Sequence, residues 1–152
     1  MTGMERLKGL MTSERSDWET PPEIFGPVQK EFKLELDVCA TKKNALLPEF
    51  FTPEQDGLSK DWAPKKCWMN PPYGKQISRW VKKAYEESLK GALVVCLVPA
   101  RTDTAWWHDY CAKGEVRFYR GRIKFLIAGE RKKGFCAPFP SALVLFHPIK
   151  VS

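Results

Sequence analysis

The run "ALVVCLVP", residues 92–99, is the most apolar stretch of the chain and restricts the fold more than any other feature. Near-continuous hydrophobicity over so few residues is typical of a strand covered on both faces, as in a parallel sheet flanked by helices. A helical period precedes it at residues 76–90, where Ile77, Trp80 and Val81 share one face. The pattern therefore predicts an α/β fold with this strand at its centre.

The other elements alternate in the same way and then change at the C-terminal end. Strands that alternate with helices and are followed by consecutive strands indicate a mostly parallel sheet finished by antiparallel strands. Residues 1–16 are polar, and we expect a flexible arm there, followed by a single domain at 17–152. The predicted helices are 22–32, 76–90 and 104–112, and the predicted strands are about 34–39, 50–52, 66–70, 92–99, 115–120, 122–127 and 141–148, with a mobile loop at about 128–140.

Positive charge is concentrated in one part of the chain. Lys and Arg number 25 against 18 for Asp and Glu, which gives a net charge of +7. Residues 113–133 hold eight basic and two acidic residues with aromatic residues between them, a composition that suits a polyanion such as DNA. A solvated basic strand pair is the alternative. The predicted phosphate contacts are Arg101, Arg117, Arg120, Arg122, Lys124, Arg131, Lys132 and Lys133, with Arg120, Arg122 and Lys124 on one strand face if Gly121 does not break the register.

Cysteine and histidine usage favours a reducing compartment and no metal. The five cysteines form no C-x-x-C pair, and the two histidines lack ligand spacing. The sequence contains neither a secretory leader nor a membrane-length apolar run. We expect a soluble cytoplasmic protein without a metal or membrane partner, whose oligomeric state the sequence leaves open.

Acidic and amide side chains follow three of the predicted strands. Asp37 lies at the end of the first strand, Asp56 in the loop after the second, and Asn70 directly after the third. The carboxyl ends of parallel strands line one crevice, where α/β proteins bind their ligands. We expect these groups to accept hydrogen bonds from a cofactor with cationic and amino groups; ordinary turn aspartates are the alternative.

The tetrapeptide Asn70-Pro71-Pro72-Tyr73 ends the third strand, because proline cannot continue a sheet ladder. An exocyclic amino nitrogen on a base is a poor nucleophile, since its lone pair is delocalised into the ring. The Asn70 side-chain oxygen and the Pro71 carbonyl could accept both of its hydrogens and favour a tetrahedral, attacking nitrogen. Tyr73, predicted to be exposed, would stack the base. An ordinary strand-to-loop turn is the alternative.

Six stretches in order resemble the phage DNA N-6-adenine methyltransferase (Dam) family over about residues 17–148. They are "DWETPPEIF", "LELDVCATKKNA", "FFTPEQDGLSKDW", "WMNPPYG", "LVPARTDTAWWH" and "GRIKF" with "FPSALVLF". The resemblance implies a Rossmann-like class I methyltransferase fold and transfer of a methyl group from S-adenosylmethionine to the N6 amino group of adenine in DNA. It implies that the base flips into the N-P-P-Y pocket, inside a bacterial or phage-infected cell.

The resemblance also implies roles for individual residues. The catalytic positions are Asn70, Pro71, Pro72 and Tyr73. Asp37 would lie near the methionine part of the cofactor, and Asp56 would accept from its adenine amino group. The implied cofactor-binding set is Trp18, Thr20, Pro21, Asp37, Val38, Cys39, Ala40, Asp56, Gly57, Asn70 and Pro71.

The chain departs from the pattern of related enzymes in two places. "VCATKKN" has no glycine where many amino-methyltransferases have a glycine-rich loop, and the length leaves no room for a separate target-recognition domain. Sequence recognition would then come from residues 113–133, the arm or a dimer partner. Methylation of another amino group (cytosine N4, an RNA base or a protein glutamine) and a non-catalytic nucleic-acid-binding module stay open as alternatives.

Overall fold

The computed structural model describes residues 18–133 and 135–149, which form three helices and eight strands. Short 3-10 turns lie at Gly57–Ser59 and Cys111–Lys113. The elements in chain order are α1 (Pro22–Phe32), β1 (Leu36–Asp37), β2 (Glu49–Phe50), β3 (Lys66–Met69), α2 (Ile77–Leu89), β4 (Leu93–Pro99), α3 (Ala105–Asp109), β5 (Glu115–Phe118), β6 (Leu126–Ile127), β7 (Glu130–Arg131) and β8 (Ser141–Phe146).

Six of the strands form one sheet in the order β2-β1-β3-β4-β8-β5. The first four strands in this order run parallel, and β8 runs antiparallel to both β4 and β5. Strand β4 is central and buried, as the run of apolar residues predicted. The predicted fold class is confirmed: the chain has a mixed α/β architecture of the Rossmann-like methyltransferase type.

Register assigns the helices to opposite faces of the sheet. Trp68 of β3 lies on one face, where it packs edge-on against Phe25 of α1 with ring centroids 5.1 Å apart. Phe146 of β8 lies on the other face and packs against Tyr85 of α2 at 5.8 Å. The sheet is therefore covered on both sides, and the carboxyl ends of β1, β3 and β4 open at one common edge.

Helix α1 has the predicted bounds, and α2 differs from its prediction by one residue at each end. Most strands are shorter than predicted. The largest difference is at 119–125, which is not a strand, because Gly121 has a φ of +76° and the chain turns there. The prediction that Arg120, Arg122 and Lys124 share a strand face is therefore wrong.

Residues 126–131 form a two-stranded hairpin of β6 and β7 instead of adding strands to the main sheet. The predicted loop at 128–140 is wrong in part, because it contains β7 and carries three buried side chains, Phe135, Ala137 and Phe139. Within residues 18–133 and 135–149, no helix has the length and apolar character needed to cross a membrane. The predicted arm lies outside the described residues.

Candidate active site

Asn70 directly follows β3, and of its two polar side-chain atoms the nitrogen is hydrogen-bonded within the protein and the oxygen is not. Its Nδ2 donates to the Trp18 carbonyl at 2.5 Å and to the Thr20 hydroxyl oxygen at 3.0 Å. A backbone carbonyl can only accept, so this contact fixes which end of the amide carries the hydrogens. Asn70 Oδ1 is buried and has no hydrogen-bond partner among the described residues. The side chain thus holds an acceptor in a fixed and unsatisfied position.

The segment that orients Asn70 is itself tied to the β6–β7 hairpin. Glu19 and Leu126 exchange two backbone hydrogen bonds, of 3.1 Å and 2.9 Å. The Glu19 carboxylate also accepts from the Gly129 amide at 2.8 Å. The hairpin therefore sets the position of the Asn70 acceptor through the Trp18–Thr20 segment.

Tyr73 is not the exposed platform that the sequence suggested. It is 2% exposed, and its hydroxyl donates to the Leu97 carbonyl of β4 at 3.0 Å. Burial raises the pKa of the Tyr73 hydroxyl well above its ordinary value. The prediction of an exposed ring is wrong, because aromatic side chains from the distant 125–139 region cover it. The ring instead anchors the proline turn to the central strand.

Five aromatic rings form a cluster beneath the turn. Phe125 and Phe139 pack edge-on against Tyr73 at 6.2 Å and 5.6 Å. Trp18 stacks on Phe135 at 5.6 Å and contacts Phe125 and Phe139 edge-on. This cluster joins the N-terminal segment, the proline turn and the 119–139 region into one wall of the site.

Two adjoining cavities open at the carboxyl edge of the sheet, with volumes of about 410 Å³ and 250 Å³. Cys39, Pro53 and Pro72 line both of them. Of the predicted cofactor-binding residues, Pro21 and Pro71 line neither. The larger cavity is lined by Trp18, Thr20, Asp37, Cys39, Ala40 and Asn70, and the smaller by Val38, Cys39, Asp56 and Gly57.

Asp37 ends β1 with a buried carboxylate. One oxygen accepts from the Leu46 amide at 3.1 Å and the other from the Cys39 amide at 3.4 Å. Burial raises the pKa of the carboxyl to about 6, although the two backbone donors oppose this. The two oxygens retain acceptor capacity, so the group can still bind a cationic ligand in the larger cavity.

The smaller cavity depends on a glycine that no other residue could replace without a shift. A Cβ at Gly57 would lie 2.2 Å from the Val38 carbonyl oxygen and 3.1 Å from the Trp80 ring. The Gly57 carbonyl accepts from Trp62 Nε1 at 2.9 Å. This close approach places the neighbouring Asp56, which is exposed, at the rim of the cavity.

Glu87 of α2 holds the same loop, and the sequence analysis missed it. It is 1% exposed, and its Oε1 accepts from the amides of Trp62 at 2.5 Å and Ala63 at 3.1 Å. Lys90 at 3.0 Å and Lys83 at 3.5 Å neutralise its charge. Its place on the buried face of the helix was a signal that the sequence offered, because Glu87 follows the apolar residues there at helical spacing.

A family model described as "DNA N-6-adenine-methyltransferase (Dam)" matches residues 8–152 of the chain. The chain belongs to this family. Proteins named "DNA N-6-adenine-methyltransferase" from Haemophilus phage HP1 (strain HP1c1) and Escherichia phage T1 are each 33% identical to it. The first alignment spans 141 residues, 90% of this chain and 81% of the relative; the second spans 108 residues, 68% of this chain and 45% of the relative.

In this Dam-family chain, the predicted DNA-contacting cations fall into two groups. Three are already paired with carboxylates: Arg117 with Glu31 at 2.8 Å and Glu115 at 2.6 Å, Arg131 with Glu23 at 2.6 Å, and Lys132 with Glu130 at 3.0 Å. The others form no ion pair with any described residue. These are Arg120, Arg122, Lys124 and Lys133, which are exposed, and Arg101, whose guanidinium lies 5.7 Å from the Phe139 ring centroid.

Proposed function

We propose that this Dam-family protein transfers a methyl group from S-adenosylmethionine to the N6 amino group of adenine in DNA. The observation that carries the proposal is the buried Asn70 Oδ1, which has no partner among the described residues. A buried polar atom without a hydrogen bond costs free energy, and a catalytic role or a bound water or ion is the usual explanation for one in a native protein. The family and the two relatives' names supply the matching substrate.

The residues around Asn70 suit an amino group as the reacting partner. Asn70 Oδ1 would accept one amino hydrogen. The Pro71 carbonyl accepts no hydrogen bond from the described residues and would accept the other, although Pro71 is buried and lines neither cavity. Two such acceptors stabilise the positive charge that develops on the nitrogen as it attacks. Because the Trp18 carbonyl and the Thr20 hydroxyl hold the amide, no reorganisation is needed during the reaction.

The cavities fit S-adenosylmethionine by the chemistry of their donor and acceptor groups. When bound, the cofactor supplies an electrophilic methyl group on a positively charged sulfur. Asp37, on the wall of the larger cavity next to Asn70, would hold the cationic methionine part. Asp56, on the rim of the smaller cavity, would accept from the adenine amino group. Gly57 permits the close approach of backbone that such a site needs.

The target adenine must leave the duplex stack to reach Asn70, because its amino group is paired there. Tyr73 offers no open ring face for it. The half-buried Pro72 and the Trp18 segment form the walls that a flipped base would contact. Tyr73 therefore acts as the anchor of the catalytic turn, and the stacking role expected for it is not part of the proposal.

Asn70→Ala tests the mechanism, with Asn44→Ala as the matched control. Asn44 lies on the same cavity wall, but its Oδ1 already accepts from the Thr41 amide at 2.7 Å. We expect Asn70→Ala to lower kcat by roughly 10²–10³-fold or more, while cofactor and DNA affinity persist. Asn44→Ala should retain the rate at saturating cofactor. Near-parent methylation by Asn70→Ala would refute the acceptor mechanism.

Thr20 tests how the Asn70 amide is oriented. Thr20→Ser keeps the hydroxyl acceptor of Asn70 Nδ2, whereas Thr20→Val removes it at nearly constant volume. We expect Thr20→Val to lower kcat without raising the KM for DNA, and Thr20→Ser to restore the rate. Mass analysis of nucleosides from treated DNA identifies the product: methyladenine supports the proposal, and methylcytosine contradicts it.

The unpaired cations Arg120 and Arg122 would contact DNA phosphates. Each neutralised phosphate contributes about 0.9 to the slope of log affinity against log salt. Replacing Arg120 and Arg122 by Gln should flatten this slope by about two units. Replacing Arg117 and Arg131 instead removes the same number of charges, but these two are engaged with Glu residues and should alter the slope less. Equal changes of the salt slope in the two double variants would contradict the distinction between ion-paired and unpaired cations.

A further inference from the structure

Phe118 ends β5 with an exposed ring at the carboxyl edge of the sheet. It pairs with Ala142 at the start of β8, next to the pair formed by Pro99 and Ser141 at the end of β4. That edge is also where Asn70 follows β3. With strands about 4.8 Å apart, three strand spacings separate the backbones of Phe118 and Asn70 by roughly 14 Å. The Phe118 ring lies on the α2 face of the sheet, whereas the Asn70 side chain contacts the segment that precedes α1, so DNA that touches both must cross the carboxyl edge. An exposed aromatic ring thus lies within reach of DNA bound at the catalytic pocket.

One face of the Phe118 ring is supported and the other is open. The ring stacks on Trp107 of α3 at 6.3 Å with an interplanar angle of 26°. Trp107 is 6% exposed, whereas Phe118 is 66% exposed. A ring that is backed by a buried indole and remains this exposed presents a flat apolar surface of fixed orientation. Such a surface suits a planar partner.

The other exposed large apolar side chains of the described residues lie at the opposite edge. Leu89 ends α2 and is 39% exposed, and Ile149 follows β8 and is 52% exposed. The Ile149 amide donates to the Ser88 carbonyl, so these two lie together at the amino edge of the sheet. Among described residues, Phe118 is therefore the one exposed large apolar side chain on the edge that carries the catalytic turn.

The positive charge of the arginines that follow Phe118 indicates which kind of partner would bind its ring. Arg120 and Arg122 follow it along the chain, are exposed, and form no ion pair with the described residues. A polyanion would neutralise them. The combination of an aromatic face with adjacent unpaired cations is the usual arrangement for single-stranded nucleic acid.

We propose that Phe118 stacks an unpaired base of the DNA strand outside the catalytic pocket, while Arg120 and Arg122 bind the adjoining phosphates. The stacked base lies at least about four nucleotides from the target at the 3.4 Å spacing of B-form DNA. This inference rests on the proposed function for its substrate, DNA. The stacking contact with Phe118 would give the enzyme a second binding site for a strand that has been opened to extrude the target base.

A labelled oligothymidylate without cofactor tests the platform apart from catalysis, because it contains no adenine. Fluorescence anisotropy gives its Kd for the full chain. We expect Phe118→Ala and Phe118→Leu to raise the Kd roughly tenfold with an unchanged salt slope, since stacking contributes without neutralising phosphate. Phe118→Tyr should retain the affinity. Leu89→Ala, which removes an exposed apolar side chain at the opposite edge, should leave it unchanged.

Three outcomes overturn the platform: no oligothymidylate binding by the parent, a Kd for Phe118→Ala within twofold of the parent, or a dimer in sedimentation that Phe118→Ala dissociates. The last would assign the ring to self-association. Failure of the proposed function looks different, since it would appear as absent methyladenine while oligothymidylate binding persists. Asn70→Ala should abolish methylation and leave the oligothymidylate Kd unaltered, which keeps the two conclusions separate.

Discussion

Relative to the parent, the Asp37→Asn variant should gain free energy of unfolding as the pH rises from acid to neutral. The folded state raises the pKa of Asp37 from the ordinary 3.8 to about 6 because the carboxyl is buried. Between these values the folded state binds more protons than the unfolded state, so this group's contribution to stability is present in acid and is lost as pH rises. At 1.36 kcal/mol per pKa unit, the loss is about 3 kcal/mol.

Asparagine cannot ionise, so the variant lacks this pH-dependent loss. It does carry a pH-independent cost of about 1–3 kcal/mol, because its amide nitrogen would face one of the two backbone amides that the carboxylate now satisfies. The unfolding free energy of the variant minus that of the parent should therefore rise by about 3 kcal/mol between about pH 3 and about pH 7. The comparison of the two proteins cancels all other titrating groups.

Urea denaturation of the cofactor-free proteins at several pH values measures this difference by linear extrapolation. The exposed Asp103→Asn controls for the loss of one negative charge. A difference between Asp37→Asn and the parent that does not change with pH would refute the raised pKa and with it the electrostatic account of the site.

Cofactor affinity of the parent should increase with pH up to about 6, because a cationic ligand favours the carboxylate, and Asp37→Asn should lose both this dependence and most of the affinity.

Tyr73→Phe should cost about 1–3 kcal/mol of unfolding free energy, since it leaves the Leu97 carbonyl unpaired, yet should retain methylation; a stable but inactive variant would restore a chemical role for the hydroxyl. Gly57→Ala should weaken cofactor binding measured by calorimetry, because the new Cβ would collide with the Val38 carbonyl oxygen. Its control is Gly26→Ala in α1, where an added Cβ would meet no atom within 4 Å outside the helix backbone. Helix propensity favours alanine there by up to about 1 kcal/mol. Equal cofactor affinity in the two glycine variants would show that the loop tolerates displacement.

Features set by local sequence could be predicted. Pro22 at the start of α1, the apolar face of α2 and the continuous apolar run of β4 each determine an element within a few residues of chain. Asn70 was placed at a strand end for the same reason, since two prolines stop the ladder wherever the strand pairs. Its unpartnered oxygen then follows from the contacts made by Trp18 and Thr20, which the sequence pattern did not indicate.

Features set by distant packing could not be predicted. Tyr73 follows a proline turn and looks exposed on local criteria, but Phe125 and Phe139, more than fifty positions away, bury it. The turn at Gly121 ends the strand before residues 119–125, so the expected alternation of arginines along a strand is absent. Ion pairs such as that of Arg117 with Glu31 of α1 likewise join elements far apart in sequence. Which cations are paired with carboxylates can therefore be seen only in the three-dimensional structure.

The pairing of Glu19 with Leu126 has a consequence for synthesis of the chain. The Trp18–Thr20 segment that orients Asn70 is made before any strand of the sheet, yet its partner Leu126 is made only after most of the sheet strands. Contacts between such distant positions form late, because the intervening loop must close before they contribute. The Trp18–Thr20 segment can therefore hold the Asn70 amide in its final position only after Leu126 has been made. This short bridge thus links the position of the proposed Asn70 acceptor to synthesis of the chain as far as Leu126.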